Sequence, residues 1–341
     1  MLNTVYQLKS PRQFEICFKD ITLNQEHVIV RPTHLSICNA DQRYYQGKRS
    51  EEILNEKLPM ALIHEAIGKV VYDPTNQFQV GDQVVMIPNI PSEIDAVIGE
   101  NYLRTSKFRA SGVDGFLQEY IETVPDRLVL LPKDINPNVA AFTEIVSVSY
   151  HAIGRLFETA HKRKNEVAVW GDGNLGYITS LLIKYMVPQV TVSVLGIDKS
   201  KLNDFTFVDN IYLIDRIPKD FTFDHAFECV GGGAAHKAIN QIIDIIRPEG
   251  TIGILGVTED LAPINTRMVL EKGLRMIGSS RSSRENFEGL IRLYRENPEI
   301  VDYLENIVGE QVVIRELKDI TKAFEADIHK LIGKTVMIWD K

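Results

Sequence analysis

Between residues 166 and 182 the chain reads EVAVWGDGNLGYITSLL. A short run of apolar and β-branched residues leads into three glycines spaced as G-x-G-x-x-G, and a helical pattern follows from Tyr177 to about Met186. That succession fits a strand, a tight turn and a helix start, the local context in which this spacing binds a dinucleotide. Gly171 permits the turn, Gly173 lets a pyrophosphate approach the backbone, and Gly176 lets the helix pack on the strand. Asn174 and Leu175 complete the loop, so that phosphates face the first N–H groups of the helix. The strand–helix alternation continues through VTVSVLG, IYLID, FDHAFECVG, a helix from about Ala234 to Ile246, GTIGILGV and RMIGSS. Short Val/Ile-rich strands alternating with helices predict an α/β unit built on a doubly wound parallel sheet.

The tip of the second strand decides which dinucleotide is expected. A carboxylate about 20 residues past the loop usually holds the ribose 2′-hydroxyl of NAD. Here that count arrives at Leu195 and Gly196, and Lys199 and Lys201 follow. Cations in place of the acid favour a 2′-phosphate, hence NADP(H). Asp198 lies beside them and argues the other way, and either lysine read alone is also compatible with a solvated loop.

Residues 1–145 have another texture. FEICFKD, HVIVRP, AIGKVVYD, GDQVVMIP and DRLVLLP are strand-like runs broken by Pro, Gly, Asn and Asp, which predicts a β-rich domain. A chain of 341 residues is long for one core, so two domains are expected. The divisions fall at 1–145, 146–283 and 284–341, the last a return to mixed character with ENFEGLIRLYREN as an amphipathic helix and GKTVMIWD as a closing strand. The net charge of −8 disfavours nucleic acid and anionic membrane surfaces as partners. No apolar run reaches spanning length, the first residues lack the plan of a secretory signal, and three scattered cysteines make no disulfide framework. A cytoplasmic location is expected.

Within the β-rich part, LPMALIHEAIGKV places His64 and Glu65 inside an apolar run. A buried carboxylate is costly unless paired or bound to a metal. Cys38 and Glu144 offer the remaining donors of a Cys/His/carboxylate set suited to zinc with one position left open, and Glu65 is a fourth or exchanging ligand. Residue chemistry alone leaves a second reading open, in which Cys38 is a small buried apolar residue and the His64–Glu65 pair meets a nearby arginine.

The segments ICNAD, IHEAIGKVV, VGDQVV, DGFLQEYI, TEIVSVSYHA, GDGNLG and FECVGG together resemble the zinc-dependent medium-chain dehydrogenases, and TEIVSVSYHA resembles their polyol branch. The resemblance implies a GroES-like β-rich catalytic domain and a Rossmann domain. It also implies catalytic and metal roles for Cys38, His64, Glu65 and Glu144, and a homodimer. Three departures stand out. Residues 86–114 contain no cysteine, so the structural zinc of many relatives is not expected. Ile63 replaces a frequent glycine, and Ala40 stands where relatives place a hydroxyl that relays a proton, which leaves Glu65 or water for that task.

SICNADQRYYQGKR, LPMALIHE, NTRMVLEKG and GSSRSS narrow the resemblance to members that reduce D-ribulose 5-phosphate to D-ribitol 5-phosphate for CDP-ribitol, teichoic acid or capsule synthesis. A cytidylyltransferase partner is implied with it. A sugar phosphate calls for arginine's planar fork; Arg43 and Arg281 are the candidates, with Tyr44 as a substrate contact. Two competing expectations are an NAD(P)-dependent zinc dehydrogenase of unphosphorylated polyols and a non-catalytic NADPH-binding scaffold.

Overall fold

The computed structural model describes residues 1–259, 261–330 and 332–341. The chain divides into two compact units, Met1–Ile145 with Ser282–Lys341, and Val146–Arg281.

In the second unit the described residues form a six-stranded sheet, and every neighbouring pair is parallel. Its spatial order is Asn210–Leu213, Thr191–Gly196, Glu166–Trp170, His225–Glu228, Thr251–Ile254, Arg275–Gly278. Strands covered on both faces must be apolar throughout, and the buried Val167, Ala168, Val169, Val192 and Val194 meet that demand. From the central Glu166–Trp170 strand the chain first builds outward on one side, then returns to lay His225–Glu228 on the other. The reversal opens a crevice at the carboxyl ends of these two strands, where such sheets take ligands, and the Gly171 loop sits there. The helix Asn174–Met186 begins three residues before the Tyr177 start expected from its apolar period. Ala235–Ile245 buries Ala235, Ala238, Ile239, Ile242 and Ile243, the three-and-four spacing of a helix with one face on a sheet.

The first unit carries a larger sheet ordered Leu128–Leu130, Gln83–Met86, Glu65–Tyr72, Val28–Ser36, Lys334–Trp339, Val308–Ile314, with Ile121–Thr123 also pairing Val28–Ser36. A smaller one joins Gln13–Asp20, Leu2–Ser10 and Met60–Ala61. Between them and the helix Leu317–His329, Phe14, Tyr45 and Phe324 form an aromatic cluster with ring centroids 4.8–5.8 Å apart. Register in the larger sheet brings distant parts of the chain together. Ser36 lies opposite Glu65 on one side and opposite Val336 on the other, so the start of the Lys334–Trp339 strand comes beside the start of the Glu65–Tyr72 strand.

Candidate active site

Cys38 is the N-cap of a short helix, Asn39–Tyr45, with extended backbone. Three residues on, Asp41 closes a reciprocal capping arrangement: its Oδ2 accepts the Cys38 N–H at 3.1 Å, while the Cys38 side chain accepts the Asp41 N–H. The other oxygen of Asp41 accepts the Ile63 N–H at 2.9 Å and lies 3.5 Å from His64 Nδ1. One buried carboxylate thus fixes both the cysteine and the histidine. Burial alone would lower the pKa of His64, but the charges of Asp41 and Cys38 outweigh it and hold the value well above the ordinary one.

Ile63 precedes His64 with φ of 71°, a left-handed conformation that is a strong outlier for a β-branched residue. Glycine adopts this conformation without strain, and Ile63, the departure noted in the sequence, is a strained buried backbone held by two hydrogen bonds. One runs from the Ile63 N–H to Asp41; in the other the Ile63 carbonyl accepts from Phe116 at 2.7 Å.

Cys38, His64 and Glu65 converge, with one ligand atom from each lying within 4.8 Å of the others. Glu65 is fully buried. Its Oε1 accepts from Lys334 Nζ at 2.8 Å, whereas Oε2 has no hydrogen-bond partner among the described residues. The cation foreseen as an arginine is therefore a lysine, and it satisfies only half of the carboxylate. Lys334 Nζ also donates to the Ile37 carbonyl at 3.0 Å, so it ties the segment bearing Cys38 to the strand bearing Glu65. Attraction to Glu65 and Cys38 offsets its desolvation and raises its pKa.

Glu144 stands in the first turn of the helix Thr143–Thr159. Its carboxyl is pushed up to about 7, chiefly by burial, with Glu65 and Asp41 adding to the rise and His64 and Lys334 opposing it. It thus feels the charges of this group, although the three donors that converge do not include it. The site fits a divalent metal on two counts. Soft sulfur, imidazole and carboxylate donors meet there, and the buried Glu65 Oε2 is an acceptor that lacks a hydrogen-bond donor.

Gly171 has φ of 132°, and a Cβ on it would come within 3.0 Å of the Cys229 backbone; a Cβ on Gly176 would sit 1.9 Å from the Gly171 carbonyl oxygen. Gly173 differs: nothing lies within 4 Å of a Cβ placed there. Packing does not require that glycine, so open access to the loop backbone remains as its reason. Gly173 is also the N-cap of the 13-residue helix Asn174–Met186 and offers no side-chain acceptor, the kind of helix start at which backbone N–H groups take an anion. At the second-strand tip the Asp198 carboxylate accepts the Ser200 N–H at 2.9 Å and the Ser200 hydroxyl at 2.5 Å. One oxygen of the acid that competes with Lys199 and Lys201 in the sequence is thus taken up by its own turn.

Arg43 and Tyr44 follow Cys38 on the same helix, Arg43 half-buried and Tyr44 buried in the core. The Arg49 guanidinium lies 5.0 Å from the Tyr44 ring centroid, so the face of that ring is already covered. Arg281 closes the other unit with φ of 58°.

Asp41 and Lys334 are site residues that the sequence does not single out. Asp41 has a signal, an acid at the third helical position after a candidate cap. Lys334 has none, because 269 residues separate it from Glu65.

Residues 24–133 match the alcohol dehydrogenase GroES-like domain, and residues 196–296 match the zinc-binding dehydrogenase family. The chain is 53% identical over 340 residues to a ribulose-5-phosphate reductase of Bacillus spizizenii, with 100% of both chains covered. It is 50% identical to ribulose-5-phosphate reductase 1 of Staphylococcus aureus over 99% of each. Among solved structures it is similar to S. aureus TarJ in complex with NADPH, at 45% identity and a TM-score of 0.90, with 100% of both chains covered.

Proposed function

This chain belongs to the zinc-binding alcohol dehydrogenase family, among its ribulose-5-phosphate reductases, and from that footing we propose that it reduces D-ribulose 5-phosphate to D-ribitol 5-phosphate with NADPH. The observation that carries the reading is the convergence of Cys38, His64 and Glu65 in a chain that matches these reductases from end to end. When bound, zinc supplies Lewis-acid polarisation of a carbonyl, and NADPH supplies a hydride. Cys38, His64 and Glu65 hold the metal, with Glu144 beside them. Asp41, 3.5 Å from Nδ1, would hold the His64 ring by its charge and leave the other ring nitrogen to the metal. A carboxylate in this position typically fixes both the tautomer and the basicity of a ligating imidazole.

The loop Gly171–Gly176, with Asn174 and Leu175, cradles the pyrophosphate, and Lys199 and Lys201 take the 2′-phosphate. For the phosphate of the substrate, to which a guanidinium offers paired donors, Arg43 is the candidate of one unit and Arg281 that of the other, and Tyr44 follows Arg43 on its helix as the substrate-contact candidate. With no hydroxyl on Ala40, the proton reaches the product through Glu65 or through water. Among the described residues no helix is long and apolar enough to cross a membrane. A cytoplasmic homodimer, whose product passes to a cytidylyltransferase making CDP-ribitol for teichoic acid or capsule, completes the proposal.

NADPH oxidation by the zinc-loaded protein with ribulose 5-phosphate, compared with ribulose, tests it. A preference of about a hundredfold or more for the phosphate, on the order of 3 kcal/mol of transition-state binding, is expected, and Arg43→Ala should remove most of it. Equal use of ribulose would instead establish a polyol dehydrogenase, and no turnover of either would favour a binding scaffold.

A further inference from the structure

The glycine loop contains one acidic side chain, Asp172, and it reaches across to the neighbouring strand. Its Oδ2 accepts the N–H groups of Ile197 and Asp198 at 2.7 and 2.8 Å. These two residues make the turn between the Thr191–Gly196 strand and the Lys199–Leu202 helix. Gly196, directly before them, is not in the left-handed region, yet a Cβ there would lie 2.6 Å from both the Cβ and the Oδ2 of Asp172. Backbone freedom does not account for this glycine. The Asp172 side chain does, because it fills the space that a side chain at 196 would need.

Position 196 is also where an acid would hold the 2′-hydroxyl of NAD. The carboxylate of the region comes instead from the glycine loop, and the charge on its Oδ2 is met by two backbone N–H dipoles. The other nearby acid, Asp198, has one oxygen, Oδ1, taken up by Ser200. Lys199 and Lys201 follow directly on the turn that Asp172 grips.

We infer that Asp172 and Gly196 are an interlocked pair that sets cofactor preference. Asp172 excludes a ribose-binding acid from position 196, by volume and by like charge, and it fixes the turn from which the two lysines meet a 2′-phosphate. The inference rests on the proposed use of NADPH and makes Asp172 a positioning residue within it. A single change at 196 therefore cannot convert the chain to NADH, whereas a paired change can.

The test is direct binding of NADPH and NADH, followed by the fluorescence of the reduced nicotinamide, with no turnover required. The variants are Gly196→Asp, Asp172→Gly, the double variant and Asp172→Asn. Glycine is chosen at 172 because the Asp172 Cβ is itself one of the atoms in the way. Gly196→Asp alone should weaken NADPH about tenfold, the worth of one hydrogen bond to a charged group, and gain nothing for NADH. The double variant should bind NADH about tenfold more tightly than either single variant, a non-additivity that only contacting residues show. Asp172→Asn keeps an acceptor for the turn and should stay within about threefold of the parent for NADPH, since the clamp and not the net charge positions the lysines. Melting curves of all four variants identify any that fail to fold, and Asp172→Asn then still tests the clamp. If the parent prefers NADPH but Gly196→Asp alone acquires NADH binding equal to that of the double variant, the interlock is refuted. If the parent binds both cofactors equally, the NADPH assignment and this inference fall together.

Discussion

Replacing Lys334 by Met removes a charge from the centre of the catalytic unit while keeping an unbranched side chain of similar length. Two bonds disappear: the 2.8 Å pair with Glu65 and the 3.0 Å bond to the Ile37 carbonyl. Both partners of the pair are buried, Lys334 being 3% exposed and Glu65 0%. Removing one member of such a pair costs about 3–5 kcal/mol, mostly the penalty of an uncompensated charge. A divalent metal bound there would compensate that same charge, since Glu65 is one of the three donors that converge. The loss should therefore be about 3–5 kcal/mol without metal and only about 1–2 kcal/mol with it, the remainder being the orphaned carbonyl and lost packing. By linkage, zinc then stabilises the variant about 2–3 kcal/mol more than it stabilises the parent. Urea unfolding of both proteins, metal-stripped and zinc-loaded, reads each term, with unchanged slopes as the check that midpoints report stability. An equal loss in both states would refute the reasoning, because Glu65 would then not share its charge between Lys334 and a metal.

Three other perturbations have expected outcomes. Asp41→Ala should lower zinc affinity about 10–100-fold, as loss of a partner orienting a ligand does, measured by competition with a chromophoric chelator. At Ile63, Gly should be more stable than Ala by about 1 kcal/mol in unfolding experiments, because alanine keeps the left-handed strain at φ 71° and glycine relieves it. Asp224, fully buried, accepts from Arg163 at 2.6 Å and Arg247 at 3.0 Å; burial raises its pKa, but these arginines more than offset that and leave it depressed. Its contribution is thus present above the ordinary carboxylate range near pH ~4 and lost as pH falls through the lower folded value. Asp224→Asn should cost about 1–3 kcal/mol at neutral pH, the worth of hydrogen bonds to a charged group, and flatten the acid limb of the stability curve.

The nucleotide unit is readable because its information is local. Gly171, Gly173 and Gly176 lie in one turn, and each strand beside them is a contiguous apolar run. The helix start at Asn174 escapes the periodicity, which sets in only at Tyr177, because the first turn carries polar Asn174 and a loop glycine. The metal site is readable only as an anomaly: His64 and Glu65 stand in an apolar strand, and that marks a charge in need of a partner. The partner comes from a strand 269 residues away, which no local pattern can announce. Asp198 shows the converse limit. Its type and position fit a ribose contact, but the hydroxyl and amide of Ser200, two residues on, claim one of its oxygens.

The thread between Lys334 and the ligand segments also bears on how the molecule is made. At about 5–20 residues per second, a ribosome takes roughly 15–50 s to travel from Glu65 to Lys334. For that interval Cys38, His64, Asp41 and Glu65 are already translated while the cation that balances them is still unmade. The nucleotide unit, continuous from Val146 to Arg281, can fold in the meantime. A metal ion captured early would supply the missing positive charge during this wait and act as a temporary substitute for a lysine yet to be translated.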